Sequence, residues 1–140
     1  MEEDNHITDP RTRSFVAAVR SFEQDGDPSG LVALFSDDAT ATRLDAHGEQ
    51  EVAAFWQAYR DQFDRVSTTF RNAVEAVGQV ALEWDSDVVL PGGRATAYSG
   101  VTILDFADDP GRSDSGGGVI ARLRTYYDTA ALVAAPAARA

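Results

Sequence analysis

The sequence predicts a single α+β domain in which helices come first and a mostly antiparallel sheet follows. Apolar residues at helical spacing are confined to the part before Asp64, whereas the remainder consists of long strand-like runs separated by short glycine-containing turns. Long strands joined by short turns favour antiparallel pairing, and helices grouped ahead of them indicate the α+β class. With 140 residues, the chain can bury one core but not two.

Three helices are expected in the first half. The first begins at Asp9-Pro10, an N-cap followed by a first-turn proline, and ends at Gly26-Asp27-Pro28. A short second helix over 29–35 and a short strand over 39–44 follow. The third helix carries the clearest pattern, with apolar residues at i, i+3, i+4, i+7 and i+11: Val52, Phe55, Trp56, Tyr59 and Phe63. Such a stripe is more often core than a ligand-binding wall.

Four long strands are expected after the helices. They cover residues 66–77, 80–90, 94–106 and 119–127, and an acidic, glycine-rich loop over 107–118 precedes the last. The three helices are expected to pack on one face of a strongly curved sheet, leaving a cavity between the third helix and the sheet. We predict a flexible leader over 1–9, the domain over 10–133 and a disordered tail over 134–140.

The composition excludes several classes of function. A net charge of −11 disfavours nucleic acid and anionic membranes as partners. The chain has no cysteine and no lysine, so it has no thiolate nucleophile, disulfide or lysine Schiff base. His6 and His47 are not at metal-ligand spacing, and no glycine loop precedes a helix, so we expect no metal and no cofactor. An acidic N-terminus and the lack of a membrane-length apolar run favour a cytoplasmic protein.

The last strand carries the most useful chemistry. Asp128 ends it, directly after Tyr126 and Tyr127. A carboxylate at the end of a buried strand can have a raised pKa and act as a general base, because desolvation disfavours its charged form. The alternative is that Asp128 caps the short segment 129–133, and the two roles are compatible.

Residues of the last strand divide into two faces by alternation. Arg122, Arg124, Tyr126 and Asp128 share one face, so the arginines line the catalytic wall unless a kink precedes the tyrosines. Arg124 is a candidate ligand contact, although a structural ion pair is the favoured interpretation. We take Asp128 and Tyr126 as candidate catalytic residues. The candidate substrate-binding residues are Trp56, Tyr59, Phe63, Trp84, Tyr98, Thr102 and Arg124.

Several local motifs, in this order and spacing, resemble a known superfamily. They are Leu34-Phe35-Ser36-Asp37-Asp38-Ala39-Thr40, Val80-Ala81-Leu82-Glu83-Trp84, Ser99-Gly100-Val101-Thr102-Ile103-Leu104-Asp105-Phe106 and the run over 120–132. Over residues 12–133 the chain is similar to the NTF2-like superfamily and, within it, the SnoaL-like group. The resemblance implies a cone-shaped α+β barrel around an apolar pocket, usually a homodimer through the sheet. Relatives include polyketide cyclases, epoxide hydrolases, steroid isomerases and binding modules, so fold does not fix function.

The resemblance to ketosteroid isomerase lacks the chemistry of that enzyme. An ungapped match puts Arg43 at the position of its general base, and Asp45 could substitute only with a loop two residues longer. The oxyanion-hole tyrosine on the first helix matches Val19, and the protonated aspartate on the third long strand matches Thr102. Steroid-type isomerisation is therefore disfavoured.

Limonene epoxide hydrolase is more similar over the last strand. Its Tyr-Phe-Asp ending matches Tyr126-Tyr127-Asp128, which implies an acid-base role for Asp128. Its Arg-x-Asp pair on the second long strand falls on Trp84 and Ser86, so the partners of that carboxylate are missing. Epoxide opening is therefore less favoured than a reaction that needs one base.

Ring closure of the SnoaL type needs one base, donors for an enolate and a pocket that folds the substrate. We therefore expect a cofactor-independent enzyme that cyclises an apolar polyketide-like or terpenoid-like biosynthetic intermediate by acid-base catalysis. The alternatives are epoxide opening and a non-catalytic protein that binds a small molecule or a partner. The expected partners are an apolar small molecule and a second copy of the chain.

Overall fold

A computed structural model describes residues 7–43, 50–108 and 118–127 of the chain. Within these ranges the elements are α1 (Pro10–Asp25), α2 (Ser29–Val32), β1 (Phe35–Arg43), β2 (Gln50–Glu51), α3 (Val52–Asp61), β3 (Arg65–Ala76), β4 (Gln79–Val89), β5 (Ala95–Asp108) and β6 (Gly118–Tyr127). The predicted α+β class is confirmed, with the helices ahead of the long strands. No helix among the described residues is long and apolar enough to cross a membrane.

The strands form one curved, mostly antiparallel sheet in the order β2-β1-β6-β5-β4-β3. The pairs β3–β4, β4–β5, β5–β6 and β1–β2 are antiparallel, and β1 runs parallel to β6. Parallel strands cannot be joined by a tight turn, so β1 and β6 require a long connection. The elements from β2 to β5 form it. As a result, β6 lies in the interior of the sheet, between β1 and β5.

The ends of α1 follow from the residues predicted to set them. The Asp9 carboxylate accepts a hydrogen bond from the Arg11 N–H at 2.8 Å, and Pro10 occupies the first turn. Gly26 has a φ of 75° and donates its N–H to the Phe22 carbonyl at 2.8 Å, which ends the helix. These local signals explain why the bounds of α1 could be predicted.

The second helix is shorter than predicted. It ends at Val32, and Phe35 begins β1, where it pairs with Ile120 of β6. The predicted helix over 29–35 is therefore wrong at its C-terminal end, and β1 starts four residues earlier than the predicted strand. Pairing with a strand about 85 residues away along the chain overrides the local helical pattern.

Residues 7–9 pack against the domain, so the predicted flexible leader is wrong for them. The Ile7 side chain is fully buried. The Glu75 carboxylate on β3 accepts hydrogen bonds from the Thr8 N–H at 3.1 Å, the Thr8 hydroxyl at 2.6 Å and the Asp9 N–H at 3.0 Å. This carboxylate therefore anchors the start of α1 to the sheet. The predicted leader residues 1–6 and the tail over 134–140 lie outside the described residues.

We expect this anchor to make stability depend on pH. Burial opposes ionisation of Glu75, but the hydrogen bonds from Thr8 and Asp9 outweigh it and lower the pKa below its ordinary value of 4.5. The folded-state pKa is thus below the unfolded one, so the carboxylate stabilises the fold above about pH 4.5. That contribution is lost as the pH falls through the folded-state pKa.

Urea unfolding of wild type and Glu75→Gln checks this expectation. The variant should be less stable at neutral pH, and the difference should be smaller at an acidic pH below the folded-state pKa of Glu75, where the wild-type carboxyl group is also protonated. An equal difference at both pH values would show that the charge of Glu75 is not what anchors α1.

The core lies between the helices and the concave face of the sheet. Along β4 the even-numbered residues Val80, Leu82, Trp84, Ser86 and Val88 are buried. On β3 alternation places Arg71 on the outer face, where it pairs with Asp85 at 3.1 Å, and the register with β4 shifts between Phe70 and Asn72. After the shift Glu75 lies opposite the buried Val80, so it faces the helices and bonds to Thr8 and Asp9, and Arg71 and Glu75, four residues apart, have separate partners on opposite faces of the strand.

Candidate functional site

A cavity of about 40 Å³ lies between α1, α3 and the concave face of the sheet. That volume holds a few water molecules. Its walls are mostly aromatic and aliphatic, with a few hydroxyls and one arginine. The lining residues are Phe15, Val19, Arg43, Phe55, Trp56, Tyr59, Thr68, Phe70, Trp84, Ser86, Tyr98, Thr102, Leu123, Thr125 and Tyr127.

Five predicted substrate-binding residues meet at this cavity. Trp56 and Tyr59 reach it from α3, Trp84 from β4, and Tyr98 and Thr102 from β5. Adjacent rings pack edge to face: the ring centroids of Trp84 and Tyr98 are 5.2 Å apart, and those of Trp56 and Tyr59 are 5.7 Å apart. The structure thus brings these side chains together, and their role in binding stays a prediction.

Phe63 lies behind the cavity wall rather than in it. Its ring is buried, with its centroid 5.7 Å from that of Tyr59 and 6.1 Å from that of Tyr98. It follows the last turn of α3, so it supports the two tyrosines from outside the cavity. The prediction that Phe63 is a direct substrate contact is not supported by this position.

Tyr126 and Arg124 lie on the opposite face of β6 from the cavity. Tyr126 is 44% exposed, and Arg124 Nη2 lies 3.4 Å from Asp105 Oδ2 on the neighbouring strand. Alternation runs unbroken to Tyr127, so it is Leu123, Thr125 and Tyr127 that face inward. The predicted place of Tyr126 in the cavity wall is therefore wrong. The orientation of Arg124 was left open, and this residue forms the favoured ion pair instead of a cavity contact.

Asp128, the predicted general base, lies outside the described residues. The described part of β6 ends one residue before it, at Tyr127, whose ring lines the cavity. The Tyr127 ring centroid is 5.4 Å from that of Tyr98. The acid-base role of Asp128 stays a prediction.

A buried carboxylate on α1 supports one end of the cavity. Glu23 is 5% exposed and accepts hydrogen bonds from the Tyr59 hydroxyl at 2.9 Å and the Thr68 N–H at 2.9 Å. It also accepts one from the Thr68 hydroxyl at 2.5 Å, and the Ser86 hydroxyl lies 2.6 Å from that of Thr68. Tyr59, Thr68 and Ser86 all line the cavity, and we call these three residues the hydroxyl end.

The environment of Tyr59 keeps its hydroxyl protonated. Desolvation, the nearby Glu23 carboxylate and the Tyr98 ring hydroxyl raise the pKa of Tyr59 well above its ordinary value. A neutral phenol can both donate and accept. Because its proton is directed at Glu23, its oxygen lone pairs remain available to other groups.

Glu23 was not among the predicted site residues. A signal was present, since Glu23 lies four residues after Val19 and eight after Phe15, on the apolar face of α1. A lone acidic residue within such a face predicts a buried carboxylate with specific partners. Its partners Tyr59 and Thr68 could not be predicted, because they lie 36 and 45 residues away along the chain.

A second polar group interrupts the aromatic wall. The Trp84 Nε1–H donates to the Thr102 hydroxyl at 2.9 Å, and the Thr125 hydroxyl lies 3.0 Å from that of Thr102. The Trp56 Nε1 is buried with no hydrogen-bond partner among the described residues. A buried donor without a partner is unfavourable, so a water molecule or a ligand acceptor beside Trp56 would be stabilising.

Loss of the Thr68 hydroxyl is expected to destabilise the fold. Thr68→Val keeps the side-chain shape but removes the hydroxyl that donates to Glu23 and forms a hydrogen bond with Ser86. We therefore expect a loss of about 1–3 kcal/mol in the free energy of unfolding. Thr69→Val is the matched control, because Thr69 is exposed on the outer face of the same strand. Urea denaturation measures both, and equal effects of the two variants would contradict a role for the buried network.

The residues that match the catalytic positions of ketosteroid isomerase and epoxide hydrolase also line the cavity. Val19, Arg43 and Thr102 all line it, yet they do not supply the tyrosine and two carboxylates of the isomerase. Trp84 and Ser86 line it as well, in place of the hydrolase's arginine and aspartate. The cavity is therefore at the expected place in the fold but holds a different set of side chains.

Known structures share this architecture. An NTF2-like protein from Anabaena variabilis is 12% identical, with 91% of this chain and 96% of that chain covered and a TM-score of 0.71. A Δ5-3-ketosteroid isomerase from Mycobacterium sp. is 22% identical, with 89% and 97% covered and a TM-score of 0.63. A candidate polyketide cyclase from Xanthomonas campestris is 20% identical, with 89% and 98% covered and a TM-score of 0.62. At these identities the likeness establishes the NTF2-like fold alone.

Comparison at the level of sequence agrees with the fold. No curated protein matches the chain. The model of the SnoaL-like domain family matches residues 13–112, which include most of α1, the helices α2 and α3 and the strands β1 to β5. Because that match takes in well over half of the sequence, the protein belongs to the SnoaL-like domain family.

Proposed function

We propose that the protein is a cofactor-independent enzyme that binds a small apolar molecule in its cavity and converts it by acid-base catalysis. The observation that carries this proposal is the composition of the cavity wall. Aromatic rings enclose most of it, whereas buried hydroxyls interrupt it at two places, at Tyr59–Thr68–Ser86 and at Thr102–Thr125. Apolar walls with a few placed polar groups are typical of small-molecule sites, since the polar groups orient the ligand.

The reaction we favour is closure of a ring by an intramolecular aldol step. A carboxylate removes a proton from a carbon beside a carbonyl group, and the electron pair of that C–H bond forms an enolate. The enolate carbon then bonds to a second carbonyl carbon of the same molecule, and the resulting alkoxide takes up a proton. We assign the proton removal to Asp128, on the resemblance of its Tyr-Tyr-Asp ending, and the substrate class to polyketide-like or terpenoid-like intermediates.

The side chains of the cavity wall favour ring closure over epoxide opening and steroid isomerisation. Epoxide opening as the hydrolase performs it needs an arginine and a carboxylate where Trp84 and Ser86 stand, and both of these residues are occupied with hydrogen bonds to threonines. Steroid isomerisation needs a base where Arg43 stands. Ring closure with a single base requires neither the arginine and carboxylate of the hydrolase nor a base at the position of Arg43.

Deuterium exchange tests the acid-base activity without knowledge of the natural substrate. A small planar ketone with acidic α-protons, 2-indanone, is incubated with the protein in D₂O, and loss of the α-proton signal is followed by NMR. We expect the protein to accelerate exchange beyond the rate in buffer, and phenol, as a non-reacting competitor, to suppress the acceleration. Exchange at the buffer rate would contradict catalysis of proton removal.

A second candidate function is binding without turnover, and the size of the cavity favours it. A volume of about 40 Å³ admits even a single aromatic ring only if side chains move, and a polycyclic ligand requires a larger rearrangement. Saturable binding of a small aromatic compound together with exchange at the buffer rate would support this second candidate.

We also propose that the protein forms a homodimer through the convex face of the sheet. Val101, Ile103 and Tyr126 are partly exposed there, next to ion pairs such as Arg124–Asp105. Covering this face would remove apolar surface from water. Sedimentation equilibrium should give about twice the mass of the 15.0 kDa chain, and a monomer at all concentrations would contradict the dimer.

A further inference from the structure

The hydroxyl end of the cavity has a fixed direction of hydrogen bonding. Glu23 is a buried acceptor that lies behind the wall, and it takes the protons of the Tyr59 hydroxyl and the Thr68 hydroxyl. The Thr68 N–H occupies its other oxygen. Each hydroxyl has only one proton to donate, so neither Tyr59 nor Thr68 has one left for the cavity.

The same direction extends to Ser86. Its hydroxyl lies 2.6 Å from that of Thr68, and the Thr68 proton is already directed at Glu23. Ser86 must therefore be the donor in this pair, because two oxygens can share only one proton. Ser86 is 1% exposed and Thr68 is 8% exposed, so bulk water does not provide other partners.

Tyr59 and Ser86 consequently offer only oxygen lone pairs to anything in the cavity. A ligand carbonyl or ether oxygen at this end would meet two acceptors and gain no hydrogen bond, whereas a ligand hydroxyl would donate to one of them. We propose that the hydroxyl end selects ligands that carry a donating O–H group, such as a phenol, an enol or an alcohol. This inference rests on the proposed function, since it requires that the cavity receives a ligand.

The enolic and phenolic hydroxyls of polyketide-like molecules have the required chemistry. A ligand held in this way has its hydroxyl at the end of the cavity formed by Tyr59 and Ser86, so its carbonyl groups are directed toward the remaining wall. Trp56, whose indole N–H lacks a partner among the described residues, is a donor on that wall. The cavity would thus bind a molecule with a hydroxyl at one end and an acceptor elsewhere.

A matched pair of probes tests the inference. Phenol and anisole are both small and aromatic, but only phenol has an O–H to donate. The two tryptophans of the chain both line the cavity, so indole fluorescence reports occupancy. We expect phenol to bind about tenfold more tightly than anisole, because only phenol can donate to the buried acceptors at the hydroxyl end.

Two variants test whether Glu23 sets this preference. In Glu23→Gln the new amide N–H₂ would donate to Tyr59 and Thr68, which frees their protons for the cavity, so the preference for phenol should fall or reverse. Tyr59→Phe removes the main acceptor and should bring the two affinities to within about twofold of each other. Ser67→Ala, an exposed serine of the same β3 strand, is the control and should keep the wild-type ratio.

The outcomes separate the inference from the proposed function. Equal binding of phenol and anisole to the wild type would overturn the inference and leave a cavity that binds ligands. A preference for phenol that persists in Tyr59→Phe would also overturn it, and this variant remains informative if Glu23→Gln does not fold. No binding of either probe would overturn both the inference and the proposed function.

Discussion

Replacement of Asp128 by asparagine is expected to lower the rate of 2-indanone exchange by roughly 10²- to 10⁴-fold, which is the usual contribution of a placed general base. The amide keeps the size of the carboxylate but cannot accept a proton from the α-carbon. The affinity for phenol should change little, since a ligand contact and a proton acceptor are separate roles. The measurements are the exchange rate by NMR and the phenol affinity by fluorescence.

Asp87→Asn is the matched control for this experiment. It makes the same change of charge on the exposed outer side of β4, and it should leave the exchange rate at the wild-type value. Full activity in Asp128→Asn would assign proton removal to another group. A loss of activity accompanied by a loss of stability equal to that of a cap, about 1 kcal/mol, would instead favour the capping role.

Gly100→Ala is expected to disrupt the wall of the cavity. A Cβ at Gly100 would lie 2.5 Å from the Tyr126 carbonyl oxygen and 2.6 Å from Cζ2 of Trp84. The carbonyl belongs to the β5–β6 pairing and cannot withdraw without breaking it. We therefore expect a loss of about 1–3 kcal/mol or more in the free energy of unfolding, which is the usual effect of overpacking.

The same substitution should displace the Trp84 ring. The indole lies over Gly100, and its Nε1–H donates to Thr102, so a shift would break that bond and alter the fluorescence of Trp84. Gly30→Ala in α2 is the control, because a Cβ there meets nothing within 4 Å. It should be neutral or slightly stabilising. Gly100→Ala with wild-type stability and fluorescence would contradict the close packing of this strand.

The parts of the fold that depend on local signals could be predicted from the sequence. The cap at Asp9, the stop at Gly26 and the apolar stripe of α3 each act within a few residues, and the structure has them where they were expected, except that α3 ends at Asp61, before the last stripe residue Phe63. The end of α2 and the start of β1 were wrong because the pairing of Phe35 with β6 determines them. Such long-range pairing leaves no local pattern.

The candidate site was predictable only in part, for a similar reason. Alternation groups Tyr126 with Arg124 and Tyr127 with Thr125, but it cannot say which group faces the cavity. That choice is made by the antiparallel register with β5, where Thr125 lies opposite the inward-facing Thr102. Glu23 was not predicted as a site residue because its role depends on hydrogen bonds with Thr68, which is 45 residues away in the sequence.

The central claim is that the small cavity beside Trp56 and Trp84 receives an aromatic ligand, and an NMR titration tests it most directly. The chain has two tryptophans, so a ¹H–¹⁵N spectrum has two indole N–H signals. We predict that both shift on addition of phenol with one dissociation constant, while the amide signal of Ser99 on the outer face stays fixed. Saturation by phenol with both indole signals unchanged, or no interaction with phenol at all, would contradict the claim.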